Sequence, residues 1–150
     1  MKGANLNMSF DLKINQGDLQ LGRNGDLQQI ADTDKLVQDV LKMALTPIGA
    51  NTFFPWYGST VSANLIGTPF NLGIIGPLAS DQLKSSLKTL ITLQQIQTNN
   101  GQKVSPYELL AAVKQVQIER NITDPRYFRV VIEVLTKALT TIATSFDVTL

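Results

Sequence analysis

The sequence contains neither cysteine nor histidine. Without cysteine, a disulfide framework, thiol chemistry and a cysteine-ligated metal site are all excluded. Without histidine, the most common general base and the most common metal ligand are missing as well. Serine nucleophiles therefore lack their usual base, and no motif supports a Ser–Lys pair. We predict no catalytic residue, no cofactor and no metal site.

Charge is also sparse, because charged residues make up 17% of the 150 positions and the formal net charge is +1. Lysine and arginine are scattered, so no basic stripe is available for nucleic acid. The sequence has no signal peptide and no apolar run of roughly 20 residues, which predicts no membrane span. The length and the 43% apolar content predict a single domain covering residues 1–150, which is cytoplasmic when made.

Periodicity places strands at the N-terminus and a helix after them. Apolar and polar residues alternate over 10–14 and 19–21, on either side of the turn signal Gly17-Asp18, which predicts a strand hairpin. The segment ADTDKLVQDVLKMALTPIG, residues 31–49, has apolar residues at three-and-four spacing. It predicts a helix capped by an acidic or hydroxyl residue at 32–34 and closed by Pro47.

Further helices are expected in the middle of the chain. We predict a short helix near 59–66, a glycine- and proline-punctuated loop at 67–77, and a helix from about residue 80 to 99. Ser105-Pro106-Tyr107-Glu108 has the pattern of a capping box, which predicts another short helix through Val113. The helices therefore number three to four.

Alternation returns at 115–119, 127–134 and 142–150, which predicts a three-stranded antiparallel meander packed on the helices. Strands, then helices, then strands give the α+β class. The last strand is expected to leave its edge uncovered, and an uncovered edge is a pairing site for another chain.

Paired carboxylates are the alternative route to chemistry, because a glycosidase needs two of them on one cleft. Glu108 is better explained as the partner in the capping box. Glu119 and Glu133 fall on outward positions of predicted strands. A carboxylate-dependent cell-wall hydrolase is therefore kept as the second hypothesis.

Three segments occur in a recognisable order: GDLQLGRNGDLQQI before a helix, FFPWYGSTVSANLIG after it, and ITDPRYFRVVIEVLTKA before the last strand. Together they resemble the baseplate wedge, or sheath-initiator (W-like), family of contractile-tailed phages, which is related to a baseplate component of type VI secretion systems. The family's Pro-x-Tyr-Gly corresponds to Pro55, Tyr57 and Gly58. Its Glu-Pro-Arg corresponds to Asp124, Pro125 and Arg126, with an acid one methylene shorter.

This resemblance implies a structural virion protein and not an enzyme. It implies a place in the tail baseplate, host cytoplasm during assembly, and six copies set by baseplate symmetry. The implied partners are the wedge core proteins and the tail sheath protein, whose first ring assembles on this domain. A tube or hub adaptor is the alternative within the tail. Neither nucleic acid nor membrane is an expected partner.

The resemblance also implies which residues bind proteins. Arg126 is expected to dock into the wedge core, with Asp124 orienting it, although the same residues also fit a turn with a surface ion pair. The edge of the last strand is expected to pair with sheath. The residues of that strand are Phe146, Val148 and Leu150.

The aromatic block at residues 53–58 is expected to be a structural joint between two helices. Pro55, Trp56, Tyr57 and Gly58 set its turn. For its four rings, packing in the core or at the core rim is favoured over direct contact with a partner.

Overall fold

The computed structural model describes residues 9–61 and 72–149. Within them, four two-residue strands precede two helices, and three long strands follow, so the predicted α+β class is confirmed. The elements are β1 (Asp11–Leu12), β2 (Ile14–Asn15), β3 (Asp18–Leu19), β4 (Gln29–Ile30), α1 (Asp32–Leu45), α2 (Leu72–Asn99), β5 (Leu110–Arg120), β6 (Tyr127–Thr136) and β7 (Thr141–Thr149).

The predicted N-terminal hairpin is present as two nested antiparallel pairs. Strand β2 pairs with β3, and β1 pairs with β4. Gln16 and Gly17 both have positive φ, at 52° and 85°, as a tight two-residue hairpin turn requires. An isolated bridge between Leu21 and Leu27 closes a second turn.

Helix α1 follows its predicted apolar stripe, and Leu36, Val40 and Met43 are fully or almost fully buried. It ends at Leu45, before Pro47, as expected. The predicted N-cap is wrong, however, because the cap position is Ala31, whose side chain has no hydrogen-bond acceptor.

Helix α2 begins at Leu72, well before the predicted start near residue 80, and it contains Pro77. The predicted loop at 67–77 is therefore helical over 72–77, while its remainder and most of the predicted helix at 59–66 lie outside the described residues. Proline clashes with the carbonyl one turn earlier. The burial of Ala79, Leu83 and Leu87 farther along the same helix offsets that cost.

The predicted capping box at Ser105–Glu108 is also wrong. These residues form a turn, and Leu110 already belongs to β5. Pairing of β5 with β6 across almost its whole length outweighs a local helix signal of four residues. Within the described part of the chain there are thus two helices instead of three to four.

The predicted C-terminal meander is confirmed, with strand order β5-β6-β7 and antiparallel pairing throughout. One sheet face is buried and carries Phe128, Val130, Ile132 and Val134 from the central strand. Helices α1 and α2 cover that face and complete the core. No helix of the described residues is long and apolar enough to cross a membrane.

Polar side chains fix α2 against the start of β5. The Gln94 amide donates to the carbonyl of Glu108 at 2.9 Å, and its oxygen accepts the Leu110 N–H at 2.8 Å. Ser80 Oγ lies within 3.4 Å of the Val116 carbonyl. Helix α2 therefore runs antiparallel to β5, with its C-terminal half beside the start of that strand.

Candidate protein-binding surfaces

The connection between β5 and β6 is a hairpin tip, residues 121–126, that is held together by its own polar groups. Asn121 Oδ1 accepts the N–H groups of Thr123 at 2.8 Å and of Asp124 at 3.3 Å. Backbone bonds join Asn121 to Tyr127 at 2.9 Å, and Tyr127 to Asp124 at 3.1 Å. These hydrogen bonds fix the tip before any partner binds, which lowers the entropy cost of docking.

Arg126 and Asp124 form a two-pronged ion pair at this hairpin tip. Arg126 Nε lies 3.1 Å from Oδ1 of Asp124, and Nη2 lies 2.8 Å from Oδ2. The hydrogen bond from the Arg126 side chain holds the pKa of Asp124 below its usual value. The Arg126 side chain is 72% exposed. Asp124 thus fixes the guanidinium plane, while the remaining N–H donors of Arg126 form no hydrogen bond within the described residues.

A polar cleft of about 300 Å³ adjoins the hairpin tip on the solvent face of the sheet. Arg129 binds Asp147 across the strands, with Nε 3.0 Å from Oδ1. That hydrogen bond lowers the pKa of Asp147. Glu119 also lines the cleft, and Ile122 at the tip is fully exposed.

The two outer strands of the sheet differ in how their edges are protected. Strand β5 contains two register shifts and carries Lys114, Glu119 and Arg120. Bulges and charges of this kind are the usual defence of an edge. Strand β7 pairs with β6 over nine residues without a shift, and its one charged residue is Asp147. Within the described residues, no strand pairs with its outer edge.

The two described side chains proposed for β7, those of Phe146 and Val148, face the helices. Val148 is buried and Phe146 is half-buried against the core, and Leu150 lies outside the described residues. A partner strand would therefore meet the backbone of β7, and these side chains hold that backbone in place. Protein binding by these positions, and by residues 124–126, stays a prediction.

The aromatic loop, residues 46–59, links the end of α1 to the segment that follows it. Ser59 N–H donates to the Thr46 carbonyl at 2.8 Å, and Ser59 Oγ donates to the Ala44 carbonyl at 2.6 Å. Gly58 has φ of +117°, and a Cβ at this position would lie 2.2 Å from the Thr46 oxygen. Only glycine fits this close approach.

Three of the four rings of this loop are exposed, contrary to the favoured expectation that they pack in the core or at its rim. Phe53 is 88% exposed, and Phe54 and Trp56 are about half exposed. Tyr57 alone among the four packs against the core cluster. The loop is fixed to α1 through backbone and hydroxyl groups, so its rings are free to project outward. Composition contains no signal for this arrangement, because aromatic residues are typical of cores and of interfaces alike.

The carboxylates weighed for catalysis are separated. Glu108 is 1% exposed and lies 3.4 Å from Lys35 Nζ, so a substrate cannot reach it. Glu133 pairs with Lys114 at 3.1 Å on the outward face of the sheet. Over residues 9–61 and 72–149, no group of three or more potential metal ligands comes together.

A chain of alternating charges, which sequence reasoning missed, joins three parts of the fold. It consists, in order, of Asp11, Lys42, Asp39, Lys35 and Glu108. The three central residues have the three-and-four spacing of helical ion pairs, which is visible in the sequence. The two terminal residues, Asp11 and Glu108, come from β1 and from the turn before β5. No local sequence pattern predicts that they pair with α1.

Comparisons with known proteins identify a similar fold but assign this chain to no family. No family model and no curated protein matches the sequence. The structure is similar to the crystal structure of a Geobacter sulfurreducens protein described as a "putative tail lysozyme", with a TM-score of 0.51. The two chains are 10% identical, and the similarity covers 78% of this chain and 89% of the other. The similarity establishes a shared fold and leaves the activity open.

Proposed function

We propose that this chain is a structural protein of a contractile-tail baseplate that binds the wedge core proteins and templates the first ring of tail sheath. It acts through protein contacts and not by catalysis. Its place is the virion baseplate after assembly in the host cytoplasm. The same role would apply in a phage tail or in a related secretion machine.

The free edge of β7 is the observation that carries the proposal. It is nine residues long, regular and almost uncharged, whereas β5 at the opposite edge is bulged and charged. An unprotected edge exposes a row of backbone donors and acceptors, which normally invites aggregation. A dedicated strand from a sheath subunit would satisfy those groups, as in strand-addition complexes generally.

The shared fold adds weaker support. The Geobacter protein is named for a tail, and this chain is similar to it in fold. The hairpin tip provides a second contact surface, because Arg126 is exposed and already oriented by Asp124. Arginine in that state binds carbonyls or carboxylates of a partner with little loss of entropy.

A cell-wall hydrolase is the second candidate, because the structural neighbour is named a lysozyme and the polar cleft contains two carboxylates, Glu119 and Asp147. Arg129 lies between them and binds Asp147. Its pairing lowers the pKa of Asp147, so Asp147 stays ionised and the acid would have to be Glu119. Turnover of peptidoglycan by purified protein, abolished in Glu119→Gln, would favour this candidate.

The proposal predicts that the Arg126→Ala variant no longer binds the wedge core proteins. The experiment is a pull-down of the wedge core and sheath proteins from the same genome, with thermal melts as a check on folding. Arg129→Ala is the matched control, because Arg129 is also an exposed arginine paired with an aspartate on the same sheet. We expect Arg126→Ala to lower wedge capture at least tenfold and Arg129→Ala to leave it unchanged.

Two results would contradict this prediction. If both variants captured wedge protein equally well, Arg126 would not be part of the wedge interface. Capture of tube or hub proteins by the wild type, without wedge or sheath, would make the chain a different tail adaptor.

A further inference from the structure

The exposed rings of the aromatic loop line a small cleft of about 310 Å³ on its surface. Phe54 and Trp56 stand edge to face, with centroids 5.7 Å apart and planes at 65°. Trp56 and Tyr57 are 6.5 Å apart at 61°. Asn51 of the same loop and Leu93 of helix α2 complete the lining. The three aromatic rings meet at steep angles and form ridges with a slot between them. Exposed apolar patches of this kind are uncommon on protein surfaces.

The cleft is built on a backbone that is already ordered. Asn51 Oδ1 accepts the N–H groups of Phe53 at 3.0 Å and Phe54 at 3.2 Å. Gly49 N–H donates to the Pro55 carbonyl at 2.9 Å, and Tyr57 N–H donates to the Phe54 carbonyl at 2.9 Å. The rings therefore stand in place before a ligand arrives, which favours binding.

The lack of charge defines the class of ligand, because none of the described residues that line the cleft is charged. Rings alone attract a cation, but the two carboxylates whose charge reaches Tyr57, those of Asp39 and Asp11, are both paired with Lys42, so the surroundings add no net attraction. A sugar would need several polar groups. The polar atoms that remain are mostly donors. Trp56 Nε1–H and the Asn51 amide N–H groups form no hydrogen bond within the described residues. A matching ligand is neutral, apolar, rich in acceptors and poor in donors.

We infer that this aromatic cleft binds a proline-rich segment of a partner protein in the polyproline II conformation. Proline has no N–H, and the polyproline II helix has no internal hydrogen bonds, so its carbonyls are free to accept. Trp56 and Asn51 supply donors for those carbonyls. Proline rings fit between aromatic ridges, which is the general basis of proline-rich recognition. An amphipathic helix would need a longer groove than five residues provide.

The aromatic cleft and the hairpin tip lie at opposite ends of β5. Leu93 precedes Gln94, which binds the start of β5 at Leu110, whereas the hairpin tip follows Arg120 at its far end. Strand β5 has 11 residues, and a rise of about 3.3 Å per residue separates its ends by roughly 33 Å. The inference is therefore independent of the proposed wedge contact, and either can fail without the other.

The test uses the full chain and a decaproline peptide, with a Gly-Ser decamer as the control peptide. Trp56 is the single tryptophan of the chain, so intrinsic fluorescence reports on the cleft directly. We expect a saturable blue shift with decaproline and a dissociation constant below about 1 mM. The Gly-Ser peptide should give no shift.

Two neighbouring rings provide the matched variants. Phe54 lines the cleft and Phe53 does not, although both are exposed on the same loop. Phe54→Ala should weaken decaproline binding about tenfold or more, and Phe53→Ala should leave it within about twofold. Equal weakening by both variants would indicate unspecific contact and overturn the inference.

The inference is also overturned if decaproline produces no saturable shift at millimolar concentration. It is overturned as well if the protein alone dimerises, with a shift of Trp56 that Phe54→Ala abolishes. In that case a second copy of the chain occupies the cleft.

Discussion

Glu108 shows how a single residue can mislead a sequence-based interpretation. Its position three residues after Ser105 matches a capping box, but the side chain is buried and paired with Lys35 instead. Oε1 of Glu108 has no hydrogen bond within the described residues. Such a buried ion pair adds little net stability, yet it becomes costly when one partner is removed.

We predict that Lys35→Met destabilises the protein by about 3 kcal/mol, because it leaves Glu108 buried without a counter-charge. Lys114→Met is the matched control. Its lysine pairs with Glu133 in a partly exposed position, and the loss should stay below about 1 kcal/mol. Urea denaturation of both variants measures the difference.

The double variant Lys35→Met/Glu108→Gln should recover much of the loss, because no unpaired charge remains. Equal destabilisation by Lys35→Met and Lys114→Met would show that the buried pair has no special cost.

The N-terminal hairpins are an element held to α1 mainly by polar contacts. Lys42 Nζ lies 2.5 Å from Asp11 Oδ2. The Gln38 amide donates to Asp11 and to the Leu12 carbonyl, and its oxygen accepts the Ile14 N–H at 2.9 Å. Burial by itself raises the pKa of Asp11, but the hydrogen bonds from Lys42 and Gln38 lower it below the ordinary value of 3.8.

This arrangement predicts an acid-sensitive hairpin. Because the folded-state pKa of Asp11 is depressed, the stabilisation is present above about pH 4 and is lost as pH falls through the folded-state pKa. Burial opposes the charge on Lys42, but contacts with Asp11 and Asp39 raise its pKa above 10.5. Its contribution is therefore present below that pH and is lost only at higher pH.

Asp11→Asn should lower stability at pH 7 by under about 1 kcal/mol after allowance for screening, and should flatten the stability profile between pH 5 and 3. Asp18→Asn is the control, because Asp18 binds the N–H of the next residue as Asp11 does but forms no ion pair with any residue of 9–61 or 72–149. Urea denaturation across this pH range measures both. A profile for Asp11→Asn as steep as that of the wild type would contradict the prediction.

Helices and strands whose apolar residues recur at a regular spacing were predictable from the sequence. Segments whose structure depends on contacts with distant residues were not. Helix α1 and the three strands of the meander follow from spacing, because each buries one face. The start of α2 was missed because glycine and proline outweighed its apolar residues in a local interpretation. Residues 105–113 were missed because pairing with β6 decides their structure. The candidate surfaces were predictable only in part, since the exposure of the aromatic rings depends on how the loop is fixed to α1.

At the scale of the whole molecule, the described residues present three separate candidate surfaces for protein contacts. The β7 edge lies along one side of the sheet, the hairpin tip follows β5, and the aromatic cleft lies near the other end of β5. The core of two helices on one sheet face keeps these surfaces at fixed separations. Under the proposed function, this rigid separation would set the position of the sheath ring relative to the wedge.

Sheath nucleation by the β7 edge is the central claim, and the sheet offers a symmetric pair of variants to test it. Ser145 on β7 and Gln117 on β5 both lie opposite Val131, on the exposed face at the two edges. The measurement is light scattering by purified sheath protein from the same genome, started by wild type, Ser145→Lys or Gln117→Lys.

An edge lysine obstructs strand addition. We therefore predict that the wild type and Gln117→Lys shorten the lag of sheath assembly equally, while Ser145→Lys does so much less at an unchanged melting temperature. Nucleation by Ser145→Lys as fast as by the wild type, or no nucleation by the wild type, would contradict the account.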